Sequence, residues 1–128
     1  MERQIVEIKD LKEGKYVIID GEACKILKIV KSKPGKHGAA KARIDAIGLF
    51  DNQKRSIVAP VDQRIEVPII KKSPAQVLNI VGNTAQLMDL ESYETFELEI
   101  PEEFKDKLTP GGEVLCMSAL GKRKIIQA

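Results

Sequence analysis

Apolar and polar residues alternate along this chain with a period of two, and turn residues interrupt the alternation every few positions. That habit predicts short β-strands. Lys15–Ile19 is apolar and β-branched, Asp20-Gly21 follows, and Ala23–Val30 reads as the return strand. Asp-Gly supplies two residues at ease with positive φ, as a two-residue hairpin turn requires. From Ala40 to Ala46 the even positions are apolar (Ala40, Ala42, Ile44, Ala46) and the odd ones polar (Lys41, Arg43, Asp45). The alternation favours a strand, although the alanines would suit a helix as well. Asp51-Asn52 marks a turn, with strands predicted at Arg55–Ala59 and Arg64–Ile70.

Pro68 and Pro74 bracket the run Ile70–Pro74, which reads as a short junction between residues 1–70 and 71–128. So short a linker couples two domains semi-rigidly. Beyond it the strand habit resumes at Ala75–Ile80, turns at Gly82-Asn83, and continues through Thr84–Asp89 and Thr95–Ile100. Pro101–Asp106 has proline at a first helical position and acids in the first turn, which predicts one or two helical turns. Pro110-Gly111-Gly112 is a turn, and Glu113–Ala119 and Lys122–Ile126 complete the set. Three strands, a short helix and two strands is the order of a small Greek-key barrel, the OB-fold. By strand count the first half resembles an SH3-like barrel. The expected fold is therefore mostly β, in two small barrel domains.

Composition narrows the chemistry. The 128 residues are 43% hydrophobic and 31% charged, enough apolar mass for a core. Five aromatics argue against sugar binding or base stacking as the main mode. No apolar run approaches the ~20 residues of a membrane helix, and the start MERQIVEIKD lacks an apolar signal core. Cys24 and Cys116 are far apart, with no CxxC and a single histidine, so neither a disulfide framework nor a metal site is expected. A cytoplasmic protein with two reduced thiols, and no membrane association, is the expectation. Residues 1–70 carry 14 Lys+Arg against 10 Asp+Glu, a net of +4, and residues 71–128 carry 7 against 9, a net of −2. From Lys25 to Arg43 there are seven basic residues and His37 but no acid. A single-sign stretch of this kind attracts polyanions; a solvated basic hairpin with no partner fits the charge equally well.

One segment carries a more specific pattern: Ser32-Lys33-Pro34-Gly35-Lys36-His37-Gly38. Pro34 and Gly35 suit a turn, and Gly38 is a second permissive position, so Lys36 and His37 are expected on an exposed tip between two strands. A generic Pro-Gly turn with a solvated lysine would look the same. A phosphate loop of the GxxxxGK type fails, because His37 follows Lys36 and Val30 stands where glycine should. His37 has no orienting acid near it in sequence and no GxSxG accompanies it, so nucleophilic catalysis is not indicated. The acids Glu91, Glu94, Glu97, Glu99, Glu102 and Glu103 fall on a turn, one strand face and a helix start, the pattern of a solvated face.

The run Ser32–Ala42, SKPGKHGAAKA, resembles the modification loop of the translation initiation factor 5A family, the archaeal and eukaryotic relatives of bacterial elongation factor P. Pro34 and Ala39 stand where eukaryotic members usually have Thr and His, so the archaeal branch is the nearer. The resemblance covers both halves. It implies that Lys36 is the lysine which deoxyhypusine synthase extends with an aminobutyl group from spermidine, giving deoxyhypusine or hypusine, with no other cofactor. It implies a monomeric factor, not an enzyme, that binds the ribosome near the exit-tRNA site and meets the acceptor end of peptidyl-tRNA. There it promotes peptide-bond formation at stalls such as proline runs and assists termination. Lys33, Lys36, His37, Lys41 and Arg43 would contact RNA backbone. The alternative is a general RNA-binding β-barrel protein.

Overall fold

The computed structural model describes residues 2–33 and 40–128. The chain forms two compact units, Met1–Ile69 and Ile70–Ala128, dividing one residue before the expected 70/71.

In the first unit, β1 (Arg3–Glu7) leads into a 3-10 turn (Ile8–Asp10), followed by β2 (Tyr16–Ile19), β3 (Glu22–Ser32), β4 (Lys41–Gly48), β5 (Lys54–Pro60) and β6 (Arg64–Pro68). Strands β2 to β5 form an antiparallel sheet in chain order, and β1 pairs with β6 as a separate ribbon. Asp20 and Gly21 take φ of 54° and 77°, both positive as a mirror-image hairpin turn demands. The even residues of β4, Ala42, Ile44 and Ala46, are buried against Val17, Cys24 and Ile26. Each isoleucine buried there contributes about 1.5–3 kcal/mol. At the far end of β4, the Arg55 guanidinium grips the Asp51 carboxylate with two bonds of 2.7 and 3.2 Å.

One strand of this unit was not anticipated, and one ends earlier than expected. The N-terminal segment is a strand, β1, where the sequence offered only charged residues around Ile5 and Val6; its partner β6 lies some sixty residues away, as in Arg3↔Pro68. The strand expected to reach Ile70 stops at Pro68.

The second unit contains β7 (Lys71–Val81), β8 (Thr84–Asp89), β9 (Thr95–Glu99), a 3-10 turn (Glu102–Phe104), β10 (Glu113–Ala119) and β11 (Lys122–Gln127). The sheet order is β11-β10-β7-β8-β9, and it curls so that Arg123 of β11 meets β9. Arg123 lies 3.2 Å from Glu94 and 4.2 Å above the Phe96 ring centre. Val77, Leu87, Ile100, Cys116 and Ile125 fill the interior. The expected linker over Ile70–Pro74 is mostly strand: β7 starts at Lys71, with Ser73 and Pro74 opposite Cys116 and Leu115. Pro74 stands just before the first β8 pair, Ala75↔Asp89, so its missing N–H breaks no rung on that side. Ser73 is buried and donates to Asp89 at 2.9 Å. Asp89 also accepts the backbone N–H groups of Glu91 and Ser92, and the Ser92 bond leads in holding its carboxyl below the usual range. The expected helical turns shrink to a 3-10 turn with Pro101 as its cap rather than its first residue.

Candidate functional site

The candidate site is built on β3 and β4. Strand β3 outruns β2, whose pairing ends at Tyr16↔Lys25. The chain before β2 covers the exposed edge: Lys15 O accepts from Ile26 N at 2.8 Å, Gly14 N donates to Ile26 O at 2.9 Å, and Glu13 Oε2 accepts from Ile29 N at 3.1 Å. A bulge between Ile26 and Lys28 turns Leu27 outward. Beyond it β3 and β4 stay in register through Ile29↔Ile44, Val30↔Arg43 and Lys31↔Ala42 to a last pair, Ser32↔Lys41.

Ser32 was expected in the loop and is the final residue of β3. Lys33 follows it, exposed. Pro34, Gly35, Lys36, His37 and Gly38 lie outside the described residues, and so does the expected tip. Ala40 precedes β4, and its carbonyl accepts from Val61 N at 3.0 Å. Lys41 and Arg43 are both exposed on the outer side of β4. Arg43 Nε donates to Asp45 Oδ1 at 3.2 Å, and Ser56 Oγ on β5 donates to the same oxygen at 2.5 Å. The Ser56 hydroxyl, and after it Arg43, lowers the Asp45 pKa from the usual carboxylate value. The pairing of β4 with β5 also brings Val58 and Lys54 onto this face, residues the sequence reading did not single out. The signal for them was the alternation within β5; what was missing was its register.

Among the described residues no group of three His, Cys, Asp or Glu side chains could hold a metal. Both cysteines are buried, and burial pushes their thiols up, Cys116 to about 11. Neither is a ready nucleophile near neutral pH. All six glutamates of the acidic group are exposed.

Two family models match in tandem. Residues 4–63 match the N-terminal domain described as translation initiation factor 5A-like. Residues 69–128 match a model described as "Eukaryotic elongation factor 5A hypusine, DNA-binding OB fold". The translation initiation factor 5A of Archaeoglobus fulgidus is 64% identical over 123 residues, 96% of either chain. The chain belongs to the translation initiation factor 5A family. The Methanothermobacter thermautotrophicus factor 5A is 58% identical over 127 residues, 99% of this chain and 98% of the relative. Among solved structures, eukaryotic translation initiation factor 5A from Methanococcus jannaschii superposes with a TM-score of 0.91 at 49% identity, covering 98% of this chain and 94% of the other. A factor 5A family protein from Naegleria fowleri gives 0.78 at 32% identity, covering 99% and 98%. The relatives are named as translation factors rather than enzymes. Lys36 falls within the segment matched by the N-terminal factor 5A model.

Proposed function

We propose that this chain is a ribosome-binding translation factor of the cytoplasm that works through a hypusine or deoxyhypusine side chain at Lys36. The observation that carries the reading is the run SKPGKHG at residues 32–38 in a chain whose two halves both match the factor 5A family. Deoxyhypusine synthase supplies the aminobutyl group from spermidine. The lengthened amine reaches phosphates and 2′-hydroxyls at the acceptor end of peptidyl-tRNA beyond the span of an ordinary lysine. Lys33, His37, Lys41 and Arg43 add backbone contacts without base identity, as a factor serving every tRNA requires.

The factor itself transfers no proton. Proline is a rigid secondary amine that aligns poorly as a nucleophile. Holding the acceptor end in a reactive pose lowers that barrier through positioning, and the ribosome does the chemistry. The same hold assists termination.

The test is Lys36→Arg. Arginine keeps the positive charge but lacks the primary amine that accepts the aminobutyl group. In a reconstituted system translating a proline-run message, modified wild type relieves stalling and the variant does not. Intact-mass and peptide mapping of protein from its native cells locate the adduct on Lys36. A variant that relieves stalling as well as modified wild type overturns the reading in favour of a general RNA-binding barrel.

A further inference from the structure

The register of β3, β4 and β5 sets side chains on the outer face of the first unit in rows. Val30, Arg43 and Val58 form one row; Lys28, Asp45 and Ser56 form the next; Lys25, Ile47 and Lys54 form the third. The residues between them on β4 point inward and are buried. Val30 and Val58 are 45% and 63% exposed, so the Arg43 guanidinium lies in a row between two apolar side chains open to solvent. A cation lies on either side of that row: Lys28 in the next row, and Lys41 one step along β4, about 6.8 Å away at two strand residues. That is the scale of phosphate spacing along a nucleic-acid strand.

Asp45 is the one acid in these rows. One carboxylate oxygen accepts from both Ser56 Oγ and Arg43 Nε. The contact with Arg43 uses Nε, so both Nη groups are left out of it and can donate as a fork to a phosphate.

We propose that the outer face of β3–β4–β5 is one RNA-docking face on which Asp45 is a positioning residue that orients Arg43. Lys25, Lys28, Lys41 and Lys54 take phosphates, and Val30 and Val58 lie against ribose or unstacked base. The proposal rests on the RNA-contacting role given above to Lys41 and Arg43, and adds the other strands and the purpose of the acid. An acidic protein partner fits less well, because the face interleaves cations with exposed apolar side chains and adjoins the segment that carries Lys36.

The test separates positioning from simple charge by sign. Asp45→Asn makes the face one unit more positive, so a face acting by charge alone would bind RNA more tightly. A positioned Arg43 predicts weaker binding, roughly 2- to 10-fold, because a neutral amide oxygen holds the guanidinium about half as strongly as the charged carboxylate. Full-length protein without the Lys36 modification is titrated with fluorescently labelled transfer RNA between about 50 and 200 mM salt. Lys28→Gln and Lys54→Gln should each flatten the log affinity against log salt line by roughly 0.7–0.9 units. In an Arg43→Lys background, where the fork is absent, Asp45→Asn should tighten binding instead. Ser56→Ala, which frees the carboxylate without changing charge, should weaken RNA binding in the parent chain. Tighter binding by Asp45→Asn alone, or slopes unmoved by both lysine changes, overturns the proposal. So does an equal loss of binding to a polyglutamate peptide, which would mark a general anion patch. Because the modification is absent, these outcomes are independent of Lys36→Arg: unchanged stall relief there sinks the translation reading and leaves the salt slopes standing.

Discussion

At the scale of single residues, the fork between Arg55 and Asp51 has a consequence that pH can read. The Arg55 side chain is 17% exposed and that of Asp51 32%, so the pair is half withdrawn from water. The fork, led by the Arg55 hydrogen bonds, pulls the Asp51 carboxyl down to about 2. An aspartate in an unfolded chain titrates near about 3.9. A depressed folded pKa adds stability that is complete above the unfolded value and disappears as pH falls through the folded one. Wild type should therefore melt above Asp51→Asn at neutral pH, and the gap should close between about pH 4 and about pH 2. Thermal melts across that range check it, and a gap that stays constant would mean the charge contributes nothing. Gly48 belongs to the same cluster: a Cβ there would collide with the Asp51 carboxylate and an Arg55 Nη. No sequence pattern marked that glycine, because its constraint comes from side chains three and seven residues later. The family, by contrast, was legible from residues 32–42, because a run of adjacent residues forms a specific motif rather than a packing relation.

At the scale of elements, legibility followed locality. Turns with a chemical signature, such as Asp20-Gly21, and strands with clean alternation, such as β4, could be read from adjacent residues. Strand β1 could not, because its evidence is a partner in β6. Nor could the start of β7, where Lys71, Lys72 and Pro74 look like a linker until β10 is laid beside them. The outer face around Arg43 was half legible for the same reason: β3 and β4 adjoin a recognisable connection, while Val58 and Lys54 arrive through β5. The turn between β8 and β9 shows the opposite case, a residue at odds with its place. Tyr93 holds φ of 62° and is 70% exposed. A bulky residue in the left-handed region costs roughly 1–2 kcal/mol, and so exposed a ring recovers little by burial. Asparagine tolerates that conformation. Tyr93→Asn should stabilise the second unit by about 1 kcal/mol, seen in denaturant melts as a higher midpoint with an unchanged slope. A lower midpoint would show that the ring supports the turn.

At the scale of the whole molecule, two cores stand in one chain, and each contains one free cysteine: Cys24 in the first and Cys116 in the second. Both thiols are buried and shifted upward, so an alkylating reagent reaches them only when the surrounding core opens. Labelling rates then report two opening equilibria within a single protein. Ile44 in the first core and Ile125 in the second are 0% and 2% exposed. Replacing either by valine removes one buried methylene at a cost of about 0.5–1.5 kcal/mol. If each unit opens on its own core, Ile44→Val should speed labelling of Cys24 by roughly 2- to 12-fold and leave Cys116 unchanged, since about 1.4 kcal/mol is tenfold in population. Ile125→Val should do the reverse. The measurement is iodoacetamide labelling in mild denaturant, followed by peptide mapping to separate the two sites. Equal acceleration of both thiols by either substitution would show that the cores open together. The junction at Ile70 would then transmit unfolding from one unit to the other.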